Sequence, residues 1–162
     1  MSLLQNIKKE KISQNAREMI IFSYPKIGKT ELMTHLPGDY LILDFDDGMS
    51  YYSGNYVKIT DIETFDELCK EFVKEKPKFN YIVIDTITMF NESIVNTLAV
   101  REYNKDPQNA KDQKPADYDI TRLAYGAGHG YKRTVLQKVI NFFKKYCDCL
   151  IILGHVADKK LG

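Results

Sequence analysis

The sequence predicts an α/β fold of three layers, in which helices cover both faces of a mostly parallel β-sheet. Apolar runs of strand length alternate along the chain with stretches of helical character, which is the pattern of a parallel sheet with crossover helices. Most of these runs are apolar at successive positions, as expected for strands that are buried on both faces. The predicted strands are residues 19–22, 40–45, 56–59, 81–84 and 149–153.

Four helices are predicted in the intervals between these strands. A Pro-Gly pair ends the first helix, and a Lys-Pro pair follows the second. The predicted helices are residues 29–36, 62–74, 89–103 and 131–146. Between the last two helices, residues 104–119 are almost entirely polar and are expected to form a long exposed loop, which the glycine-rich residues 124–130 continue.

Composition indicates an ordinary globular protein. With 162 residues, of which 44% are hydrophobic and 28% charged, residues 1–162 are expected to form a single domain. No apolar run reaches the ~20 residues that a membrane-spanning helix needs, and residues 1–17 are too polar for a signal peptide. The chain stops just after the last predicted strand, where parallel sheets often continue, so a truncated C-terminus is expected.

Charge and cysteine content bear on partners and location. The 23 basic and 22 acidic side chains leave no global basic field, so net charge gives no support to nucleic-acid binding, although a local patch stays open. Cys69, Cys147 and Cys149 show no repeated spacing, which argues against a zinc site. We expect Cys149 in the core, Cys147 at a helix end and the chain in a reduced, cytoplasmic compartment.

Residues 19–30 join a predicted strand to a predicted helix through a Gly-Lys-Thr turn, which is the setting of a phosphate-binding loop. Glycine lets successive N–H groups point at one phosphate, lysine reaches the β- and γ-phosphates, and threonine can bind Mg²⁺. Ser23 stands where the full pattern has its first glycine. We therefore predict ATP and Mg²⁺ as cofactors. The predicted binding residues are Pro25, Lys26, Ile27, Gly28, Lys29 and Thr30.

A second part of the site is predicted at Asp85, which ends an apolar strand. In phosphate-loop proteins an aspartate at this point holds Mg²⁺ beside the loop threonine, here Thr30. The alternative is that Asp85 caps a turn or a helix, a role that Thr86 also fits. Together with Lys29, the pair Thr30 and Asp85 favours the metal site.

Two further strand ends carry polar residues. Thr86 stands where many ATPases have a catalytic glutamate, so Asp46 or Asp47, after the second strand, is expected to orient the attacking water. The alternative for these acids is a solvated turn. His155 follows the last strand and is expected to sense the γ-phosphate, unless it only bonds to backbone. Asp46, Lys29 and His155 are the predicted catalytic residues.

In this order the pieces resemble the RecA-like core of the P-loop NTPases. The likeness is to phage-encoded nucleotide-binding proteins, including the RecA-like single-strand annealing ATPases, and it runs from residue 19 to the end of the chain. It implies that the last predicted strand lies between the first and the fourth, with His155 between the phosphate loop and Asp85. It also implies a homo-oligomer, because RecA-like cores usually pair their sites with a neighbouring subunit.

The resemblance extends to individual residues. In the family the catalytic glutamate ends the strand after the phosphate loop, within a stretch like Asp-Thr-Glu-Gly-Gly. Here residues 44–48 read Asp-Phe-Asp-Asp-Gly, so Asp46 corresponds to the glutamate and has a shorter reach. The family's Walker B strand is followed by Ser or Thr, as Asp85 is by Thr86. Its next core strand ends in a Gln or His that senses the γ-phosphate, which corresponds to His155.

Contact with single-stranded DNA is implied as well, because residues 104–130 correspond to a DNA-binding loop of RecA. Beside them Tyr131, Lys132 and Arg133 combine an aromatic ring with cations, as single-strand binding requires. A solvated loop leading into an amphipathic helix is the alternative. The predicted function is thus an ATPase of DNA recombination or replication. A small-molecule or nucleotide kinase and a binding module with little hydrolysis stay open, although the scattered arginines do not suggest a kinase lid.

Overall fold

A computed structural model describes residues 17–156 of the chain. The predicted α/β class is confirmed, with a five-stranded sheet in which every neighbouring pair of strands is parallel. The strands are β1 (Glu18–Ser23), β2 (Tyr40–Asp44), β3 (Tyr56–Lys58), β4 (Phe79–Asp85) and β5 (Cys147–His155). The expectations about a signal peptide at the start of the chain and about truncation at Gly162 concern segments outside the described residues.

The order of the strands in the sheet is β1-β5-β4-β2-β3, so β5 lies between β1 and β4 as the resemblance implied. The register aligns the ends of these strands. Ser23 pairs with His155 across β1 and β5, and Asp85 pairs with Leu153 on one side and with Asp44 on the other. The residues that follow four neighbouring strands therefore emerge at one edge of the sheet.

The helices depart from the predicted bounds in several places. They are α1 (Lys29–Thr34), α2 (Ile62–Glu75), α3 (Ile87–Phe90), α4 (Asn96–Lys105) and α5 (Ala127–Phe143). The single helix predicted at 89–103 is divided by a π-helical turn at Asn91–Val95, which links α3 to α4. Cys147, predicted at a helix end, is the first residue of β5, because α5 stops earlier than its apolar pattern indicated.

The glycine-rich residues 124–130 were expected to be loop, but α5 already begins at Ala127. The reason is tertiary packing. Gly128 is buried, and a Cβ atom at this position would lie 1.8 Å from the carbonyl oxygen of Ile120. The glycine thus allows close approach of helix and backbone inside a regular helix, where it costs some helix propensity.

Residues 104–119 contain little regular structure, as predicted, but much of this loop is attached to the helices. The side chain of Asn96 donates to the carbonyl oxygen of Tyr118 at 2.9 Å and accepts from the amide of Ile120 at 3.1 Å. Ile120 is completely buried. Asn104 holds both backbone groups of Lys114. Most of residues 104–119 are exposed, as predicted, while Asn104, Lys114 and Tyr118 are half-buried through these contacts.

Two apolar clusters, one on each face of the sheet, confirm the three-layer arrangement. The larger cluster packs α2, α3, α4 and α5 against one face, and Phe90 and Phe143 at its centre are fully buried. The smaller cluster packs α1 against the other face and includes Cys149, which is a core residue as predicted. Within residues 17–156, no helix combines the length and apolar character needed to cross a bilayer.

Two glycines of α5 offer a matched test of this packing. Gly128→Ala should lower the free energy of unfolding by about 2–3 kcal/mol, because the new methyl group meets backbone that cannot move aside. Gly130→Ala has open space and should raise it by about 0.5–1 kcal/mol through helix propensity. Urea titrations of both variants measure the difference. Equal effects of the two substitutions would contradict the close contact with Ile120.

Candidate active site at the carboxyl edge of the sheet

The predicted phosphate loop leaves β1 and turns directly into α1. Lys26 and Gly28 have positive φ angles of 65° and 90°, a conformation that glycine adopts without strain. The helix then begins at Lys29, with the amide of Leu32 bonded to the carbonyl oxygen of Gly28 at 3.0 Å. The side chains of Pro25, Lys26 and Ile27 are exposed, and of these three only Lys26 and Ile27 carry a backbone N–H that can meet a phosphate.

Lys29 is only 8% exposed, and its ammonium group is held by the loop itself. It donates to the hydroxyl of Ser23 at 2.8 Å and to the carbonyl oxygens of Tyr24 at 3.2 Å and Ser23 at 3.4 Å. These acceptors compensate the withdrawal of a charge from water. Sequence reasoning treated Ser23 only as a departure from the glycine pattern and missed that its hydroxyl contacts the lysine of the same motif.

Thr30 and Asp85 meet in the structure. The Thr30 hydroxyl donates to Oδ2 of Asp85 at 2.6 Å, which joins the phosphate loop to the end of β4. Asp85 is 1% exposed, and its Oδ1 has no hydrogen-bond partner among the described residues. The peptide bond that follows Asp85 is cis. Thr86 caps α3, so the capping role that was an alternative for Asp85 belongs to its neighbour.

Burial raises the pKa of Asp85 to about 6. The hydrogen bond from Thr30 opposes this shift, the charges of Asp46 and Asp44 add to it, and the charge of Lys29 again opposes it. A carboxylate that is buried, half satisfied and close to other acids gains from a nearby cation.

Asp46 and Asp47, in the turn after β2, have different surroundings. Asp46 is half-buried and lies close enough to His155 for their charges to interact. Burial is the main cause that raises the pKa of Asp46, and the amide of Gly48 opposes it by donating to the carboxylate at 3.1 Å. Asp47 is exposed and forms an ion pair with Lys58 at 2.6 Å. Of the two acids considered for orienting water, Asp46 is therefore the one that belongs to the site.

His155 ends β5 beside Ser23, and its side chain is half-buried. Its backbone amide donates to the hydroxyl of Thr88 at 3.5 Å. Since β5 lies between β1 and β4, His155 stands between the phosphate loop and the strand of Asp85. The predicted catalytic and metal-binding residues thus converge on one edge of the sheet.

The three predicted DNA-binding residues differ in their contacts and in their exposure to solvent. Tyr131 packs edge-on against Tyr103 with ring centroids 5.3 Å apart, and its hydroxyl bonds to Asn109 and Asp106. Its ring and hydroxyl are therefore engaged in contacts within the fold, and a stacking role for Tyr131 stays a prediction. Lys132 is half-buried and Arg133 is exposed.

Tyr125 precedes these three residues in the same basic and aromatic stretch of the sequence, and its side chain is fully exposed. It precedes α5 with a left-handed backbone, φ 57°. Because α5 ends just before β5 begins, the start of α5 lies toward the carboxyl edge of the sheet. Tyr125 is therefore an aromatic side chain in this region whose ring is accessible for stacking.

A protein-family model described as an AAA domain matches residues 15–162, which is most of the chain. The chain belongs to the AAA domain family. This membership confirms the resemblance to P-loop ATPases at the level of a nucleotide-binding ATPase domain, with ATP as the implied ligand. A search of curated proteins finds no match.

An AAA domain usually binds ATP together with Mg²⁺, and the residues at this edge fit that ion. Mg²⁺ prefers hard oxygen ligands, keeps several waters and takes one or two protein groups beside the phosphates. The Thr30 hydroxyl and the Asp85 carboxylate are such ligands. The unpartnered Oδ1 of Asp85 is a buried acceptor with the charge that an ion would compensate.

The raised pKa of Asp85 predicts how stability without nucleotide depends on pH. The folded state binds the proton of Asp85 more tightly than the unfolded state does. Protonated Asp85 therefore adds to the free energy of unfolding below about pH 4, and this stabilisation is lost as pH rises through about 6. Asp85→Asn removes this loss and should stabilise the nucleotide-free protein by about 2 kcal/mol at pH 8.

Chemical denaturation of the wild type and Asp85→Asn at pH 5 and pH 8 measures this effect. The advantage of the variant should shrink at pH 5. Asp47→Asn is the control, because Lys58 and Ser50 lower the pKa of Asp47 and its titration lies below this range. An advantage of Asp85→Asn that is equal at both pH values would contradict the raised pKa.

Proposed function

We propose that the chain is an ATP- and Mg²⁺-dependent ATPase of the RecA-like, phage type, acting on single-stranded DNA in recombination or replication. The observation that carries the ATPase is the 2.6 Å hydrogen bond between Thr30 and Asp85, since it unites the phosphate loop with the metal-binding strand end. Lys29 and Asp46 lie on the same edge of the sheet. A homo-oligomer and a cytoplasmic location belong to the same proposal.

In the proposed mechanism, Lys29 and the loop amides bind the β- and γ-phosphates. Thr30 and Asp85 would hold Mg²⁺, which would supply positive charge to the phosphate oxygens. Asp46 accepts a proton from a water molecule while the water oxygen attacks the γ-phosphorus. The bond from this phosphorus to its bridging oxygen breaks, and ADP leaves with the electron pair. Because burial raises its pKa, Asp46 is a stronger base than a surface aspartate.

His155 supports the coupling of hydrolysis to the rest of the chain. It lies beside Ser23, the acceptor of Lys29, and its charge interacts with Asp46. Loss of the γ-phosphate would change the surroundings of Lys29 and Asp46, and thereby those of His155.

One observation favours a second candidate, a nucleotide-binding module with little hydrolysis. Asp46 has the reach of an aspartate, and one of its oxygens already accepts from the amide of Gly48. Its capacity to take a proton from water is correspondingly smaller. A kinase is less well supported, because Arg101 pairs with Asp66 on the helical face and Arg122 pairs with Asp119.

Single-stranded DNA is proposed as the partner on the strength of Tyr125 and its cationic neighbours. The ring is fully exposed, and Arg122, Lys132 and Arg133 lie within a few residues along the chain. Bases stack on exposed aromatic rings while cations contact the phosphates. Asp119 offsets part of this charge through its ion pair with Arg122.

The first experiment measures ATP binding and hydrolysis with Mg²⁺ for three variants. Lys29→Ala should lose nucleotide binding, because the ammonium that meets the phosphates is gone. Asp46→Asn should bind ATP normally and hydrolyse it at least about 10-fold more slowly. Lys74→Ala, which removes an exposed lysine on α2, is the control. Binding and turnover that survive in Lys29→Ala would show that the predicted phosphate loop is a structural turn. Binding without turnover in the wild type would favour the nucleotide-binding module.

The DNA part is tested by adding single-stranded DNA to the same assay at fixed salt. Turnover should rise with DNA, and Tyr125→Ala should weaken DNA binding by about 5- to 100-fold, the range for loss of one stacked base. Tyr51→Ala, another strongly exposed tyrosine, is the matched control. If turnover does not change when DNA is added, single-stranded DNA is not the partner, and the proposal of an ATPase is unaffected.

A further inference from the structure

Asp44 is an acid that the mechanism above does not use, although it is completely buried at the end of β2. Its Oδ1 accepts from the amides of Gly48 at 3.0 Å and Asp46 at 3.3 Å, and its Oδ2 accepts from the amide of Met49 at 3.1 Å. A carboxylate with three amide donors is a satisfied buried charge. These bonds tie almost the whole turn to one side chain.

The same turn carries Asp46 and approaches the phosphate loop. A Cβ atom on Gly48 would lie 3.0 Å from Oδ1 of Asp46 and 3.3 Å from the hydroxyl of Thr30. Gly48 is therefore packed between the proposed base and the proposed metal ligand. Met49, at the other end of the bonds to Asp44, is buried in the smaller apolar cluster and anchors the turn to the sheet.

We propose that Asp44 is a positioning residue for hydrolysis, which holds the 46–49 turn so that Asp46 stays beside Thr30. The inference rests on the proposed function, because it needs Asp46 to be the base. Asp44 does not touch the reacting atoms and acts through the backbone amides of the turn. Loss of its bonds lets Asp46 drift, and a displacement of about 1 Å in a catalytic group can cost about 100-fold in rate.

Asp44→Asn tests the role at constant volume. An asparagine has one acceptor oxygen instead of two, and its NH₂ group would face an amide donor of the turn. We expect kcat to fall by about 10- to 100-fold while the ATP dissociation constant changes by less than about 3-fold. Asp47→Asn, an exposed acid of the same turn, should leave both values unchanged.

The double variant Asp44→Asn/Asp46→Asn distinguishes positioning from independent damage. If Asp44 acts through Asp46, the double variant hydrolyses ATP no more slowly than Asp46→Asn alone. The inference would be overturned if the fold-losses in kcat of the two single variants multiplied in the double variant. It would also be overturned if Asp44→Asn kept the wild-type kcat. If Asp46→Asn itself keeps full turnover, the proposed base is wrong, and that failure is seen without reference to Asp44.

If Asp44→Asn does not fold, Gly48→Ala provides a second test of whether hydrolysis depends on the position of Asp46 in this turn. Its methyl group pushes between Asp46 and Thr30 and leaves the three bonds to Asp44 in place. It should lower kcat in the same way, and the loss should shrink in an Asp46→Asn background, where only the contact with Thr30 still acts. Wild-type turnover by a folded Gly48→Ala protein would show that the position of Asp46 in this turn does not matter.

Discussion

Asp85 ends the central strand of the sheet with a carboxylate that is withdrawn from water, and one of its oxygens has no partner within the described chain. This arrangement costs free energy in the absence of a ligand. The parallel sheet sets it up, because the neighbouring strands bring Asp44 and the phosphate loop to the same edge. A site with stored unfavourable charge of this kind is typical of functional positions rather than of structural ones.

The three aspartates of the turn after β2 lie in different surroundings. Asp44 is turned inward onto backbone amides, Asp46 lies half-buried at the site, and Asp47 pairs with Lys58 on the surface. Three carboxylates within four residues would repel one another if they shared one environment. Their separation into buried, intermediate and exposed positions makes the stretch compatible with a folded chain.

The fold class, strand order and phosphate loop were predictable because their signals are local or follow from family likeness. Gly-Lys-Thr is contiguous, and each strand is an apolar run. Features that depend on contacts between different segments were not predictable in this way. Gly128 is helical because it packs on Ile120, and Tyr131 is engaged within the fold because it contacts Tyr103 and Asp106. The partnership of Lys58 with Asp47 is likewise invisible in a single sequence, since the two belong to different strands or turns.

Ser23 alters how the phosphate loop meets a nucleotide. With Ser23 and Tyr24 as acceptors, the Lys29 ammonium is already well solvated by protein before any ligand arrives. A nucleotide must exchange these acceptors for phosphate oxygens, so its affinity reflects only the difference between two good environments. The same contacts stand ready to receive the lysine when the nucleotide departs. These contacts reduce the net gain that a phosphate can offer to Lys29, and the Ser23 hydroxyl is the side chain that supplies the shortest of them.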